Sequence, residues 1–293
     1  MKNLLVILLL FNLYSFQAQK KTKLKIKNFR VAYLDDSIKE TSGLCFFNKS
    51  CLTFNDGGNT STLYELNQSD GKISSSKLIP IPNQDWEAIT TDSTSIFIGD
   101  FGNNLGTRKD LSIYKIQFDD NSVVRQTLKI EFLYSNQSDF SRRNLKHDFD
   151  AEAMIYLEGK IHLFSKEWLS KKTSHYIIDP NSTTKQSLKP TEEFKTKFMV
   201  TDAAYFDQTL YLVGYTKSGR TYLMVFSKDS TATFFSSKPR KYKLGSLLTI
   251  GQIEGITVNK EGIYISGEGI SNALLNIKPT LYFIPHSVFK NIR

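Results

Sequence analysis

The sequence repeats one pattern five times: an acidic or polar residue, a small residue, a hydrophobic strand, a turn and a second hydrophobic strand. The clearest copy is residues 147–168, which read HDFDAEAMIYLEGKIHLFSKEW. A repeat of this length suits the four-stranded blade of a β-propeller. The aligned acidic or polar positions, separated by 45, 65, 50 and 52 residues, are Ser42, Glu87, Glu152, Asp202 and Glu254.

The strand pattern predicts an all-β fold, a five-bladed β-propeller. β-Branched and aromatic residues dominate the hydrophobic runs, and few apolar residues recur at helical spacing. Four of the units show four predicted strands each. In units three and four, the outermost strands are predicted at residues 185–194 and 231–236.

The two ends of the chain suggest how the ring closes. The fifth unit lacks a fourth strand, while residues 22–34 alternate polar and apolar residues before the first unit and have no nearby partner. Because a closed ring protects strand edges, we expect this N-terminal strand to close the last blade. A six-bladed ring is the alternative, if residues 135–146 hide a degenerate unit or the N-terminal strand belongs to a separate blade.

The N-terminus has the layout of a signal peptide. A lysine precedes an apolar run at residues 4–16, and Ala18 supplies a small residue near the expected cleavage point. The run is too short for a transmembrane helix, which needs about 20 residues. We therefore predict a signal peptide at residues 1–19 and a single propeller domain at residues 20–293. The mature protein is expected to be exported, periplasmic or extracellular, and to have no transmembrane segment.

The charge distribution argues against nucleic-acid binding. The formal net charge is +9, but the excess lysines are scattered or form short local groups. A nucleic-acid interface would need a basic stripe interleaved with stacking aromatic residues, and the sequence contains none. We expect a monomer that binds a small molecule, a glycan or a protein.

The chain contains two cysteines, Cys45 and Cys51, on either side of a predicted turn. In an exported chain such a pair is a disulfide candidate that would connect two strands of one hairpin. Two buried free thiols are the alternative. The spacing matches neither a zinc site nor a thioredoxin motif.

The aligned acidic residues are expected to surround one mouth of the central channel. Four converging carboxylates repel one another unless they are hydrated, protonated, paired with cations or bound to a metal. Oxygen ligands suit Ca²⁺ best, with Mg²⁺ or Mn²⁺ as alternatives. Each acid could instead accept hydrogen bonds from backbone amides and join neighbouring blades. The predicted metal ligands are Glu87, Glu152, Asp202 and Glu254; no fingerprint of an organic cofactor is present.

Further polar and aromatic residues are expected at the same mouth, at or near the ends of the second strands. Lys166 could neutralise the acids or orient an anionic ligand, and Trp168 and Tyr215 could stack on a sugar or simply pack. His147, beside Asp148, is the best candidate for a general base. The candidate ligand-binding residues are Asp56, Asp100, Asn103, Trp168, Tyr215, Gln252 and Glu268, and the candidate catalytic residues are His147, Asp148 and Lys166.

Five segments resemble secreted bacterial propellers of the SdiA-regulated and phytase-esterase-like groups. These are residues 85–90 (DWEAIT), 97–104 (FIGDFGNN), 147–153 (HDFDAEA), 164–168 (FSKEW) and 252–256 (QIEGI). The resemblance implies an exported propeller and brings no established reaction.

Glu254 followed by Gly255 is also similar to the acid-glycine element of calcium-dependent lactonases and phosphotriesterases on six-bladed propellers. This more distant resemblance implies calcium at Glu254. The leading hypothesis is an exported binding or scaffold propeller with an acidic channel mouth. The alternative is a calcium-dependent hydrolase of phosphate esters, lactones or related small esters, with His147 or Asp148 as base.

Overall fold

The computed structural model describes residues 22–119, 123–227 and 233–290; the predicted signal peptide, residues 1–19, lies outside these ranges. The helices in the described ranges are short. Two are 3-10 helices, at Ile26–Phe29 and Asp36–Ile38, and two are α-helices, α1 (Leu247–Ile250) and α2 (His286–Lys290). The described strands, in chain order, are β1 (Thr22–Lys23), β2 (Arg30–Tyr33), β3 (Thr41–Phe47), β4 (Ser50–Asn55), β5 (Thr62–Leu66), β6 (Ile73–Leu78), β7 (Trp86–Thr91), β8 (Ser95–Asp100), β9 (Ser112–Phe118), β10 (Val124–Tyr134), β11 (Ala151–Leu157), β12 (Lys160–Ser165), β13 (Thr173–Ile178), β14 (Gln186–Leu188), β15 (Glu192–Phe194), β16 (Met199–Phe206), β17 (Thr209–Tyr215), β18 (Arg220–Ser227), β19 (Arg240–Ser246), β20 (Gln252–Val258), β21 (Gly262–Glu268), β22 (Ile270–Asn272), β23 (Leu275–Ile277) and β24 (Thr280–Pro285).

Five sheets form the blades, numbered one to five here in chain order. From the axis outwards the strand orders are β3-β4-β5-β6, β7-β8-β9-β10, β11-β12-β13-β15, β16-β17-β18-β19 and β20-β21-β24-β2. Each innermost strand packs beside the next one, and β20 packs beside β3, so the ring is closed. The predicted five-bladed β-propeller is therefore confirmed. The six-bladed alternative is wrong, because residues 135–146 contain no strand.

The N-terminal segment closes the last blade, as predicted. Strand β2 runs antiparallel to β24, with Arg30 opposite Tyr282. The prediction of one continuous strand at residues 22–34 is wrong. Leu24 and Ile26 pack in the apolar core of blades four and five, and a 3-10 helix at Ile26–Phe29 separates β1 from β2. Strand β1 instead runs parallel to β19 in blade four. The N-terminal segment thus connects two blades.

Two of the predicted outer strands differ from the observed ones. Residues 185–194 form two strands, because Pro190 between them has no N–H for strand pairing. Strand β14 pairs with β10 of blade two, and β15 pairs with β13 of blade three. In blade four the outer strand is β19, whereas residues 233–236 contain no strand and residues 231–232 lie outside the described ranges. Phe234 packs in the core between blades three and four, which explains the apolar pattern there.

Apolar and aromatic side chains fill the space between neighbouring blades. Phe54 of blade one meets Trp86 of blade two edge-on, with ring centroids 5.4 Å apart. Phe97 of blade two stacks on Tyr156 of blade three at 5.3 Å. Such burial contributes about 25 cal/mol for each Å² of apolar surface removed from water. The packed interfaces hold the five innermost strands in fixed positions around the axis.

Cys45 and Cys51 are free thiols, so the predicted disulfide is wrong. Cys45 lies opposite Leu52 in the β3–β4 pair, whereas Cys51 lies opposite Phe46. Because successive strand residues point to opposite faces of a sheet, the two thiols point to opposite faces of blade one. Cys45 joins the core towards blade two, and Cys51 joins the core towards blade five.

Candidate functional site

A β-bulge interrupts the pairing of the innermost strand at the same place in all five blades. In each bulge one residue has no partner on the second strand. This extra residue is Glu87 in blade two, Glu152 in blade three and Glu254 in blade five. In blade four the extra residue is Thr201, and in blade one the pairing is interrupted at Gly43. Since a bulge redirects the side chain of the extra residue, three equivalent glutamates are set apart from the ordinary alternation of their strands.

Asp202 lies one residue beyond its bulge, out of register with the three glutamates. Its buried carboxylate accepts a 2.8 Å hydrogen bond from the N–H of Ala203 and a 2.6 Å hydrogen bond from the N–H of Ile256 in blade five. Ser42 lies one residue before the interruption in blade one, and its hydroxyl donates to the Glu87 carbonyl at 3.2 Å. The surroundings of Asp202 are those of an acid that joins two blades.

Five carboxylates form what we call the acid cluster: Asp56, Asp85, Glu87, Glu254 and Glu268. Oxygens of Asp56, Asp85 and Glu87 all lie within 4.8 Å of one another. Oxygens of Asp56, Glu254 and Glu268 meet the same distance limit. Asp56 therefore belongs to two overlapping groups. The structure brings four residues selected from the sequence into this cluster.

Asp85 is the one member of the cluster that is not among the residues selected from the sequence pattern. A signal for it was present in the sequence, because Asp85 is an acid two residues before Glu87 and directly ahead of β7. The backbone makes room for both side chains. A Cβ at Gly102 would collide with the carboxylates of Asp85 and Glu87, and a Cβ at Gly57 would collide with Asp85. Two glycines thus form a cradle around these oxygens.

Burial and mutual repulsion raise the pKa values of the acid cluster. Burial, followed by the charge of Glu254, raises the pKa of Asp56 to about 7. Burial, followed by nearby carboxylates, raises the pKa of Asp85 to about 6. Burial and then like charges also raise the pKa values of Glu87 and Glu268 well above the usual range. The ionised cluster would be stabilised by a positive charge.

Glu87 is the most deeply buried acid of the cluster. It is 2% exposed, and no N–H or O–H group within the described ranges donates a hydrogen bond to its oxygens. Glu254 differs, because its carboxylate accepts a hydrogen bond from the Gln252 amide, which also lies 3.3 Å from Glu268. Buried carboxylates are normally paired, hydrogen-bonded or bound to metal. Glu87 is therefore a buried acid whose neighbours are the carboxylates of Asp56 and Asp85.

Lys166 places a buried ammonium group next to the acid cluster. Its Nζ pairs with Glu152, and each of the two side chains is 3% exposed. The second oxygen of Glu152, Oε2, is buried without a hydrogen-bond partner among the residues described. The Lys166 Nζ also lies 4.9 Å from the ring centre of Trp168 and 5.5 Å from that of Tyr215. The charge of Lys166 offsets part of the repulsion that raises the pKa of Asp56.

The side chains of His147 and Asp148, the two remaining candidate catalytic residues, form hydrogen bonds with backbone groups of neighbouring loops. The Nε2 atom of His147 lies 3.1 Å from the carbonyl oxygen of Asn104, and its Nδ1 accepts a 3.1 Å hydrogen bond from the N–H of Phe149. The Asp148 carboxylate accepts hydrogen bonds from the N–H groups of Leu169 and Ser170. Neither side chain belongs to the groups of acids that lie close enough to share an ion.

Asp100 and Asn103 support the loop that carries Gly102. Asp100 forms a 2.9 Å ion pair with Arg108 and accepts a 3.2 Å hydrogen bond from the N–H of Asp85. The Asn103 side chain donates to the Phe149 carbonyl and accepts from the N–H of Arg108. These contacts position Asp85 and Gly102. Asp100 and Asn103 therefore support the acid cluster without belonging to it.

Comparison with solved structures finds matches at low sequence identity. A candidate exported protein of Bacteroides fragilis NCTC 9343 is 10% identical, with a TM-score of 0.45, over 91% of this chain and 98% of that chain. U3-55K and the WD40 repeats of RRP9 are each 9% identical, with TM-scores of 0.39 and 0.40, over 84% of this chain and 67% of theirs.

No protein-family model and no curated protein matches the sequence. The resemblance to particular secreted propeller families therefore stays a prediction, while the β-propeller fold rests on the ring of five sheets. No helix within the described ranges has the length and apolar character needed to cross a membrane.

Proposed function

We propose that this chain is an exported binding propeller that holds a divalent cation in the acid cluster and uses that cation to bind an oxygen-rich ligand. The observation that carries the proposal is the Glu87 carboxylate. It is 2% exposed and has no hydrogen-bond donor among the described residues, yet its oxygen lies within 4.8 Å of oxygens of Asp56 and Asp85. Ionised carboxylates are costly to bury unpaired. A bound cation would supply the partner.

Ca²⁺ suits this set of ligands best. It takes six to eight oxygen ligands at about 2.3–2.6 Å in a flexible geometry, whereas Mg²⁺ requires a near-ideal octahedron. Two oxygens on one Ca²⁺ ion therefore lie no more than about 5 Å apart. The oxygens of Asp56, Asp85 and Glu87 satisfy this limit. Mn²⁺ prefers similar ligands and is the nearest competitor.

The ligand would approach where the cluster is partly exposed. Asp56, Asp85 and Gln252 are only half-buried, in contrast to Glu87 and Glu254. Coordination positions that the protein leaves free would face this side and could take carboxylate, phosphate or hydroxyl oxygens. A small molecule, a glycan or a segment of a protein offers such oxygens. The proposal of export is supported by the signal-peptide pattern at residues 1–19.

The test is metal analysis of residues 20–293 purified without chelator, combined with melting temperatures in Ca²⁺ and in EDTA. We expect bound calcium and a higher melting temperature in Ca²⁺, because a ligand at a hundredfold excess over its Kd stabilises the folded state by about 2.7 kcal/mol. Glu87→Gln should reduce the calcium-dependent shift. Glu261→Gln, at an exposed acid in a turn of the same ring, should preserve it. Absence of metal together with equal melting temperatures would contradict the proposal.

A calcium-dependent hydrolase of phosphate esters, lactones or related small esters is the alternative. A bound cation could polarise a substrate oxygen as a Lewis acid. However, both ring nitrogens of the predicted base, His147, are engaged with backbone groups, which favours binding over hydrolysis. Turnover of chromogenic phosphate esters or of lactones that requires calcium and disappears in Glu87→Gln would favour the hydrolase.

A further inference from the structure

We infer that the acid cluster binds two divalent cations, with the Asp56 carboxylate bridging them. This inference rests on the proposed function and adds the number and arrangement of the ions. One ion would be held by Asp56, Asp85 and Glu87, and the other by Asp56, Glu254 and Glu268, since the oxygens of each group lie within 4.8 Å of one another.

The two groups come from opposite sides of blade one. Asp85 and Glu87 lie at the start of blade two, whereas Glu254 and Glu268 belong to blade five. Asp56 directly follows β4 of blade one, whose innermost strand packs between those of the other two blades. A carboxylate has two oxygens and can give one to each ion. Carboxylate-bridged ions of this kind lie about 3.5–4 Å apart.

The charge of the cluster favours two ions over one. When all five carboxylates are ionised, one divalent cation leaves three negative charges uncompensated and two cations leave one. The nearby basic side chains are already engaged: Lys166 pairs with Glu152, and Arg108 pairs with Asp100 and Asp110. Uncompensated charge is most costly where water is excluded.

Each group also contains an acid that is almost completely buried. In the first group this is Glu87, which lacks a donor from the described residues. In the second group Glu254 is 3% exposed and Glu268 is 8% exposed, and the amide of Gln252 lies between their carboxylates. One amide donor cannot neutralise two carboxylates. The second group therefore needs a cation, or a proton, as much as the first does.

The experiment is isothermal titration of the metal-free protein, residues 20–293, with Ca²⁺. We expect two ions per wild-type chain, one in Glu87→Gln and one in Glu268→Gln, because each variant removes a ligand of only one group. Asp56→Asn should weaken both binding steps by roughly 10- to 100-fold, the range that follows loss of even an outer-shell partner in metal sites. Glu261→Gln should bind two ions like the wild type.

Stoichiometry separates this inference from the proposed function. A single ion that is lost in both Glu87→Gln and Glu268→Gln would overturn the two-ion site and leave the proposed function in place. Binding of no ion by a folded wild-type chain would overturn both. If Glu87→Gln fails to fold by circular dichroism, Glu268→Gln tests the same point from the other group. Electron paramagnetic resonance of the Mn²⁺-loaded protein gives a second readout, since two bridged ions are magnetically coupled and isolated ions are not.

Discussion

The carboxylate of Asp202 in blade four accepts a 2.6 Å hydrogen bond from the backbone N–H of Ile256 in blade five. The same carboxylate accepts a 2.8 Å hydrogen bond from the N–H of Ala203 and is fully buried. One residue earlier, the hydroxyl of Thr201 donates to the carbonyl of Ile253 at 2.6 Å. Polar bonds near the axis therefore join the two blades in addition to their apolar core.

Asp202→Ala should destabilise the protein by about 3 kcal/mol, because it leaves buried N–H groups without their charged acceptor. Asp202→Asn keeps one acceptor oxygen and should cost less. Urea unfolding measures both effects, and calcium titration of the folded variants should match the wild type. Loss of calcium binding without loss of stability would show that Asp202 is a metal ligand after all.

The blade pattern could be predicted from the sequence because the repeat lies in the two inner strands, which a tight turn connects. The position of the bulged residue in blade four could not be predicted. Asp202 aligns with Glu87, Glu152 and Glu254 in the sequence, but the bulge falls at Thr201. A slip of one residue sends a strand side chain in the opposite direction. Sequence alignment has no means of locating a bulge within a strand.

Part of the acid cluster could be selected from the sequence, whereas the surroundings of His147 could not. Four of the selected acids lie in the acid cluster, but the Nε2 atom of His147 lies beside the carbonyl oxygen of Asn104, 43 residues earlier in the chain. Contacts between loops of this kind depend on the path of both loops, which carry no periodic pattern. Asp85 could have been selected, because it is an acid only two residues before Glu87, directly ahead of β7.

Lys166→Met should destabilise the protein by about 3–5 kcal/mol, because it leaves the Glu152 carboxylate buried without its counterion. The double variant with Glu152→Gln should recover part of that loss, and a double-mutant cycle from urea unfolding measures the coupling. Lys217→Met is the matched control: Lys217 also lies over the Trp168 ring, at 5.8 Å, but is exposed. Its effect should stay within about 0.5 kcal/mol. Equal losses for the two lysines would contradict a special role for the buried pair.

Both cysteines should titrate as free thiols, and only after unfolding. Cys45 and Cys51 are buried, and burial raises the pKa of Cys51 to about 12. Because the thiolate is the reactive form, a thiol reagent should react slowly with the native protein. Unfolding in urea without reductant should expose two thiols per chain. A melting temperature that falls on addition of dithiothreitol would instead indicate a disulfide.

Glu192 on β15 connects blade three to the segment that leads into β19. Its carboxylate accepts 2.9 Å hydrogen bonds from the N–H groups of Phe234 and Phe235 and lies 3.0 Å from Nδ1 of His175. Burial alone would raise the pKa of Glu192, but the hydrogen bonds from His175 and the two amides outweigh it and lower the pKa. The ionised form is therefore favoured by folding.

Glu192→Gln should destabilise the protein by about 1–3 kcal/mol at neutral pH, because the bonds to a charged acceptor are weakened. A carboxyl with a lowered folded-state pKa contributes stability that is present above its unfolded pKa of about 4.3 and lost as the pH falls through the folded-state pKa. The difference in the free energy of unfolding between wild type and variant should therefore become smaller below about pH 4. Urea unfolding at neutral and acidic pH measures this difference in the free energy of unfolding. Glu193→Gln is the control, because Glu193 forms a half-exposed surface pair with Lys172. A difference that stays constant down to the acid end would show that ionisation of Glu192 is not its source.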